Sequence, residues 1–442
     1  MVNRKPPKIA VLGLWHLGVV TAACCASSGF NTAGFDASDK LISDLKNAKA
    51  PLFEPGLDEL IGEGIDSNLL SFTQNYQSLK FADIVWVCFD TPVDDEDNAD
   101  VDFVFEKIIS ASKYMKSGAV ILISSQIPLG TSQRLRNALG NNELTIAVSP
   151  ENLRLGHAIE VFRNPDRIVV GVENSECREK LEHFMSVLCD NIIWMNLPSA
   201  ELTKHAINGF LAMSVAYTNE LATIGERYGA NAYEVEMALK SEIRIGPKAY
   251  VRPGEAFAGG TLARDLNYIV DLGQNVNFDA KVAMATLKSN NSHRLWAYHA
   301  IMHLVKTKGL NASGLQVALL GLAYKPGTST LRRSNAINVA NKLIEQEFTV
   351  KAHDPEVQSL DAYANDSLRL ADTIEEAIKD AQIILIMTPW DDYKQIKVDF
   401  FRSTMRRFHG TETSGIVVID QQRIAPQFED EKGFNYVSFG RG

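Results

Sequence analysis

Six residues near the start of the chain have the types and spacing that hold a phosphate. Gly13-Leu14-Trp15-His16-Leu17-Gly18 lies between the apolar run Ile9-Ala10-Val11-Leu12 and a stretch of helical character. In such a turn the first glycine allows the tight bend and the last allows close helix packing. The helix N-terminus then presents N–H groups and a partial positive charge to a pyrophosphate. Trp15 occupies the middle position, where the backbone normally approaches the phosphates. Alone, the turn would also fit a plain strand-to-helix connection. Asp36 weighs against that: it ends the run Thr32-Ala33-Gly34-Phe35, 23 residues after Gly13. A carboxylate there accepts hydrogen bonds from ribose hydroxyls and repels a 2′-phosphate, so the expected cofactor is NAD rather than NADP. The five cysteines (Cys24, Cys25, Cys88, Cys177, Cys189) are an odd number without a C-x-x-C pair. They suggest neither a disulfide framework nor a zinc site, and no metal is expected.

A turn of this kind needs a strand before it and a helix after it. Residues 8–13 read as the strand, and helical character runs to Ser28. Further buried-strand runs fit residues 84–89, 119–124, 145–148 and 168–172, alternating with helical stretches. That alternation predicts a parallel, doubly wound sheet. From residue 199 to 307 strand-like runs disappear. In 200–228, Ala, Leu, Ile and Phe recur at three- and four-residue steps. A helix so apolar fits an interface better than a solvent-bridging linker. A second α/β unit starts at Gln316, with strands at 317–321, 348–352, 383–387 and 416–419 and a helix at 335–346. The expected fold class is α/β: two Rossmann-like doubly wound domains joined by a central helical region. The expected boundaries are 1–198, 199–310 and 311–442.

The 442 residues suit two to three domains. The formal charge of −10 provides no general basic field for nucleic acid or anionic lipid, so an anionic substrate needs a local cluster of Arg and Lys. No run approaches the roughly 18 apolar residues of a membrane span. The basic start, Met-Val-Asn-Arg-Lys-Pro-Pro-Lys, resembles a signal-peptide flank. Its apolar run is short and leads into the glycine turn without an A-x-A site, so a first strand and a cytoplasmic location are expected.

Motifs across the chain then resemble one family, in order and with compatible gaps. Pro51-Leu52-Phe53-Glu54-Pro55-Gly56-Leu57 is similar to its E-P-G-L loop. Thr91-Pro92, Ile127-Pro128-Leu129-Gly130-Thr131, Pro150-Glu151-Asn152-Leu153-Arg154 and Asn164-Pro165-Asp166-Arg167 follow. So do Ala200-Glu201-Leu202-Thr203-Lys204, Arg244-Ile245-Gly246 and Leu320-Gly321-Leu322-Ala323-Tyr324-Lys325-Pro326. These resemble the UDP-glucose/GDP-mannose dehydrogenases. The resemblance implies an NAD domain, a central dimerisation region and a nucleotide-sugar domain, hence a homodimer or larger assembly. It implies oxidation of a sugar C6 alcohol to a carboxylate in two hydride transfers, through a cysteine thiohemiacetal.

Removing hydride from an alcohol calls for a cation or amide donor facing the oxygen and a base for its proton. Lys204 and Asn208 share one helix face at i and i+4, and by resemblance they stand near the sugar C6. By resemblance Glu151 serves base chemistry through water and Asp265 closes the nucleophile loop. On the cofactor side the resemblance adds Thr91, Pro92, Ser125 and Arg332. On the nucleotide side it adds Lys325, Arg423 and Arg244, the last reaching a partner's site. Tyr250 and Arg252 open a segment that wraps the nucleotide, and the Tyr250 ring is placed to stack on the base; Gly259 lies in the nucleophile loop.

That loop reads G-F-G-G-S-C-F-P-K-D in the family. Here Ala256-Phe257-Ala258-Gly259-Gly260-Thr261-Leu262-Ala263-Arg264-Asp265 aligns without a gap and places Thr261 at the cysteine. A threonine hydroxyl is a far weaker nucleophile than a thiolate. Gln126 stands where Thr is common near the catalytic water, and Leu155 where Glu is common. Three readings follow: a nucleotide-sugar dehydrogenase with UDP-glucose the default substrate, a non-catalytic binder of nucleotide sugar or NAD, and an enzyme that borrows NAD transiently without net oxidation.

Overall fold

The computed structural model describes residues 5–92, 100–140, 143–151, 153–257, 261–332, 334–360, 363, 367–404 and 415–441. The chain divides into two compact units, Met1–Ile207 and Asn208–Gly442.

The first unit is built on eight strands: β1 Ile9–Leu12, β2 Thr32–Phe35, β3 Leu70–Thr73, β4 Ile84–Val87, β5 Val120–Ile123, β6 Thr145–Val148, β7 Ile168–Val172 and β8 Ile192–Asn196. Their order is β3-β2-β1-β4-β5-β6-β7-β8. The winding reverses between β1 and β4, the crevice where an open α/β sheet binds its ligand. All four residues of β1, β4, β5 and β6 are buried, as expected where helices cover both faces. The helix His16–Ser27 is buried from Leu17 through Ala26. Its run of small side chains, Ala22 to Ala26, lets it lie close against the sheet.

One expectation is corrected. β7 pairs antiparallel with β6, and β8 then runs parallel to β7. A parallel return is usually made by a helix that spans the sheet. The β6–β7 and β7–β8 connections, 149–167 and 173–191, are equally long, but the described part of the first carries only the six-residue helix Ala158–Arg163, about 9 Å long. The 14-residue helix Ser175–Leu188 between β7 and β8 spans about 21 Å and permits the parallel return.

The helix Leu197–Glu226 begins in the first unit and ends in the second. The helices Ala232–Ser241, Thr261–Asn275, Lys281–His293 and Trp296–Thr307 follow. The second sheet contains β9 Gln316–Leu320, β10 Thr349–His353, β11 Leu368–Leu370, β12 Ile383–Ile386, β13 Ile416–Asp420 and β14 Phe434–Ser438. Its order is β11-β10-β9-β12-β13-β14, parallel throughout. The chain is thus α/β, with two Rossmann-like sheets and a helical region between them in sequence. Four strands have no counterpart in the apolar runs of the sequence: β3, β8, β11 and β14. All four are sheet edges. No helix among the described residues is long and apolar enough to cross a membrane.

Candidate active site

The glycine turn has the construction that its sequence requires. Gly13 has φ +85°, and a Cβ there would stand 2.5 Å from the Phe89 ring. A Cβ on Gly18 would stand 1.7 Å from the Gly13 carbonyl oxygen. Trp15 adopts φ −75° and ψ −162°, ordinary values for any residue, and its ring is exposed. The turn therefore needs no glycine at that position. No side chain caps the helix at Trp15 and its first turn holds no acidic residue, which suits its first N–H groups to an anion. Asp36 Oδ2 accepts from Leu14 N–H at 3.0 Å and Oδ1 from Ser38 N–H at 3.0 Å, and the side chain remains half-buried.

His16 points away from the turn, with Nε2 2.9 Å from Glu54 Oε2. Glu54 is buried and accepts from Gly156 N–H and Ala158 N–H, each at 2.8 Å. Burial alone would raise its carboxyl, but the His16 ring and the two backbone donors outweigh it and hold it below the usual carboxylate range. Glu54 thereby ties the glycine turn to the segment that follows Glu151.

Lys204 is not a solvated helix lysine. Its Nζ donates to the Glu151 carbonyl at 2.8 Å and lies 3.4 Å from Glu151 Oε1. Glu151 Oε2 accepts from Leu153 N–H at 2.8 Å. A cavity of about 20 Å³ is lined by Ser125, Gln126, Glu151, Glu201 and Lys204, room for one water molecule. Ser125 Oγ is buried in its wall without a protein partner. Thr91 Oγ1 donates to the Gln126 carbonyl at 2.7 Å, so it holds the same loop. Pro92 accepts from Asp100 N–H at 2.8 Å.

In the second unit, Asn208 Nδ2 donates to Asp265 Oδ2, and both side chains are buried. Thr261 is the first residue of the helix Thr261–Asn275, exposed and one turn ahead of Asp265. Gly259 lies outside the described residues. Arg423 donates to Glu429 Oε2 at 3.0 Å and lies over the Tyr233 ring. Burial raises the Tyr233 hydroxyl, while Arg252 and Arg423 both act to lower it, so these two arginines share one neighbourhood. Arg244 donates to Glu242 Oε1 at 2.8 Å. Tyr250, Lys325 and Arg332 are exposed. Among the described residues no hydrogen bond or ion pair joins Arg244, Tyr250 or Lys325 to Arg423.

Family models match in order along the chain. The NAD binding domain of the UDP-glucose/GDP-mannose dehydrogenase family matches residues 7–188, the central domain 198–292 and the UDP binding domain 318–423. A UDP-glucose 6-dehydrogenase of Rickettsia typhi is 30% identical, covering 98% of this chain and 99% of that protein. The chain belongs to the UDP-glucose/GDP-mannose dehydrogenase family. A UDP-glucose 6-dehydrogenase of Rhizobium meliloti is 29% identical over 98% of this chain and 99% of its own length. A solved UDP-glucose dehydrogenase from the archaeon Pyrobaculum islandicum is 25% identical, with TM-score 0.78, covering 99% of this chain and 98% of that chain.

The family's cofactor fits the residues present. The close approach of Gly18 to Gly13 leaves a cradle that any side chain would fill, at the start of an uncapped helix. The thiol chemistry is a different matter. Cys24, Cys25, Cys88 and Cys177 are buried, and burial pushes their thiols up, Cys24 to about 12. Two acidic residues took no part in the sequence reading of the site although their motifs were visible. Glu54 sits in the E-P-G-L loop and Glu201 in A-E-L-T-K. Their backbone partners are 69 to 104 residues away in sequence and His16 is 38 from Glu54, so no local spacing announces them.

Proposed function

We propose that the chain is an NAD-dependent dehydrogenase that oxidises the C6 alcohol of a nucleotide-linked sugar, with UDP-glucose the first substrate to test. The observation that carries this reading is the Lys204–Glu151 contact beside the water-sized cavity. A lysine ammonium placed against a carboxylate can stabilise an oxygen that gains negative charge, and the carboxylate can take a proton directly or through one water. NAD, when bound, supplies the hydride acceptor. Asp36 holds the ribose hydroxyls, and the first N–H groups of the helix His16–Ser27 hold the pyrophosphate. Asn208, positioned by Asp265, offers an amide donor one turn along the helix from Lys204. Arg244, Tyr250, Arg252, Gly259, Lys325 and Arg423 form the nucleotide side of the reading, with Arg332 near the cofactor.

Thr261 sets how far the oxidation goes. Its hydroxyl has no nearby base dedicated to it in the sequence, so no covalent enzyme–sugar adduct is expected. The aldehyde either leaves, or takes up water at Glu151 to give a gem-diol that yields the second hydride. The expected ratio of NADH to consumed sugar is nearer one than two in a single turnover. The test mixes protein, NAD and a panel of UDP- and GDP-sugars and follows the NADH absorbance. Net NADH supports the reading. Sugar conversion without net NADH replaces it with transient use of NAD, and binding without conversion replaces it with a non-catalytic binder. Lys204→Ala is expected to lower kcat by roughly 100-fold or more with little change in NAD affinity. Thr261→Ala is expected to change the rate less than about threefold. An adduct on Thr261 seen by mass spectrometry would overturn the non-covalent route.

The active species is read as a cytoplasmic homodimer. Phe210, Tyr217 and Ile224 recur every seven residues on the helix Leu197–Glu226 and are 64%, 56% and 53% exposed. A straight apolar stripe of this length suits the same stripe on a second copy across a two-fold axis. A monomer by light scattering at micromolar concentration would reject this.

A further inference from the structure

Two glutamates line the water-sized cavity, and they are not equivalent. Glu151 has an oxygen facing Lys204. Glu201, 2% exposed, has both oxygens engaged by backbone: Oε2 accepts from Gly130 N–H at 2.7 Å and Oε1 from Ser132 N–H at 2.6 Å. These donors begin the helix Thr131–Leu139. That helix has Gly130 at its cap, no side-chain cap and no acidic residue in its first turn. A carboxylate at a helix N-terminus is favoured by both hydrogen bonding and the helix dipole, so Glu201 supplies from afar what the local sequence lacks.

His205, one turn further along the same helix and fully buried, acts on the same loop. Its Nε2 lies 3.2 Å from the Ile127 carbonyl oxygen. A carbonyl only accepts, so Nε2 carries the proton. Thr91 takes the Gln126 carbonyl from another side. The loop 125–132 is thus suspended by three bonds from two side chains that flank Lys204 in sequence. Ser125 and Gln126, at its start, line the same cavity as Lys204.

We propose that Glu201 and His205 are positioning residues that set the distance between Lys204 and the Ser125–Gln126 wall, so that the reacting groups meet in one geometry. Neither transfers a proton: the Glu201 oxygens are both engaged by backbone N–H, and His205 is a donor turned to a carbonyl. The kinetic part of the test rests on the dehydrogenase reading, and the labelling part does not.

The test compares Glu201→Gln, His205→Ala and His205→Gln with the full-length parent. Glutamine at 201 keeps one acceptor and loses the other, whereas glutamine at 205 keeps a donor near the position of Nε2. Deuterium exchange of the 125–132 amides is expected to rise in Glu201→Gln and His205→Ala and to stay near the parent in His205→Gln. With NAD and UDP-glucose, kcat is expected to fall roughly tenfold or more in the first two, with KM for each ligand within about threefold. His205→Gln should recover most of the loss. Acetylation of Lys204 by acetic anhydride, read by mass spectrometry on protein without ligands, should quicken in the first two variants only. Faster exchange with unchanged kcat and unchanged Lys204 labelling would reduce Glu201 to a helix cap and overturn the proposal. If the parent oxidises no sugar of the UDP- and GDP-sugar panel, the dehydrogenase reading fails, and the Lys204 labelling alone decides the positioning role. If Glu201→Gln does not fold, the His205 pair carries the test.

Discussion

The two sheets of this protein open with nearly the same turn and use it differently. Gly13 follows β1 with φ +85°, and Gly321 follows β9 with φ +96°. A Cβ on either would strike the second residue after the neighbouring strand, Phe89 or Thr388, at 2.5 Å. Each turn is closed by an aspartate at the end of the next strand: Asp36 takes the N–H of Leu14, and Asp354 takes those of Leu322 and Ala323. There the likeness stops. Asp354 is 5% exposed and also accepts from Glu356 N–H, Val357 N–H and Trp390 Nε1. Asp36 has two donors and an open flank. The first turn runs straight into an uncapped helix, whereas the second reaches its helix only at Asn335, behind a Ser334 cap. A glycine and an aspartate in this arrangement are therefore not sufficient for a dinucleotide site. What distinguishes a binding turn is unspent hydrogen-bonding capacity.

The sharpest test of that distinction removes the saturated aspartate. Asp354→Ala strands several buried N–H donors and is expected to cost upwards of about 3 kcal/mol. Calorimetry should show the transition of the second unit moving down while NAD affinity stays within about threefold of the parent. A parallel loss of NAD affinity would break the comparison. Next in size is Gly18→Ala, which places a Cβ 1.7 Å from the Gly13 oxygen. NAD affinity by titration calorimetry is expected to fall at least about 100-fold, ~2.7 kcal/mol. The residue at the same offset from Gly321 is Pro326, and Pro326→Ala should leave NAD binding unmoved.

Asp36→Ala should leave stability little changed and lower the preference for NAD over NADP about tenfold. Equal use of both cofactors by the parent would remove Asp36 from the site.

The smallest effect concerns the thiols, all five of which precede residue 190. Iodoacetamide at pH 8 should label Cys189 first, because the other four are buried. Burial raises the Cys24 thiol from 9.0 to about 12. The folded state therefore keeps a proton that the unfolded chain releases. The corresponding stability is intact below about pH 9 and is lost as pH climbs from 9 toward 12. Alkaline titration should weaken the first unit in that window, and early labelling of Cys24 at pH 8 would contradict its burial.

Much of this molecule is legible in its residues. The central strands announce themselves because covering both faces of a sheet demands continuous apolar runs, as in Ile84-Val85-Trp86-Val87. The glycine turn and Asp36 are legible because a tight turn and a ribose contact need particular residues at particular spacings. The edge strands were not. β8 is only partly buried along its length, and β11 is three residues long, so what makes them strands is a neighbour to pair with. The reversal of β7 was hidden for a similar reason: it goes with how little of the preceding connection is helical, not with the strand's own residues. The site divides in the same way. Lys204 and Asn208 could be placed on one helix face from their spacing alone. That Lys204 meets Glu151, and that Asp354 is spent where Asp36 is not, was decided only by the tertiary structure. So too was the pairing of Glu201 with N–H groups 69 and 71 residues away. A backbone donor carries no residue-type signature, so a side chain that serves one is invisible in sequence until the fold brings the two together.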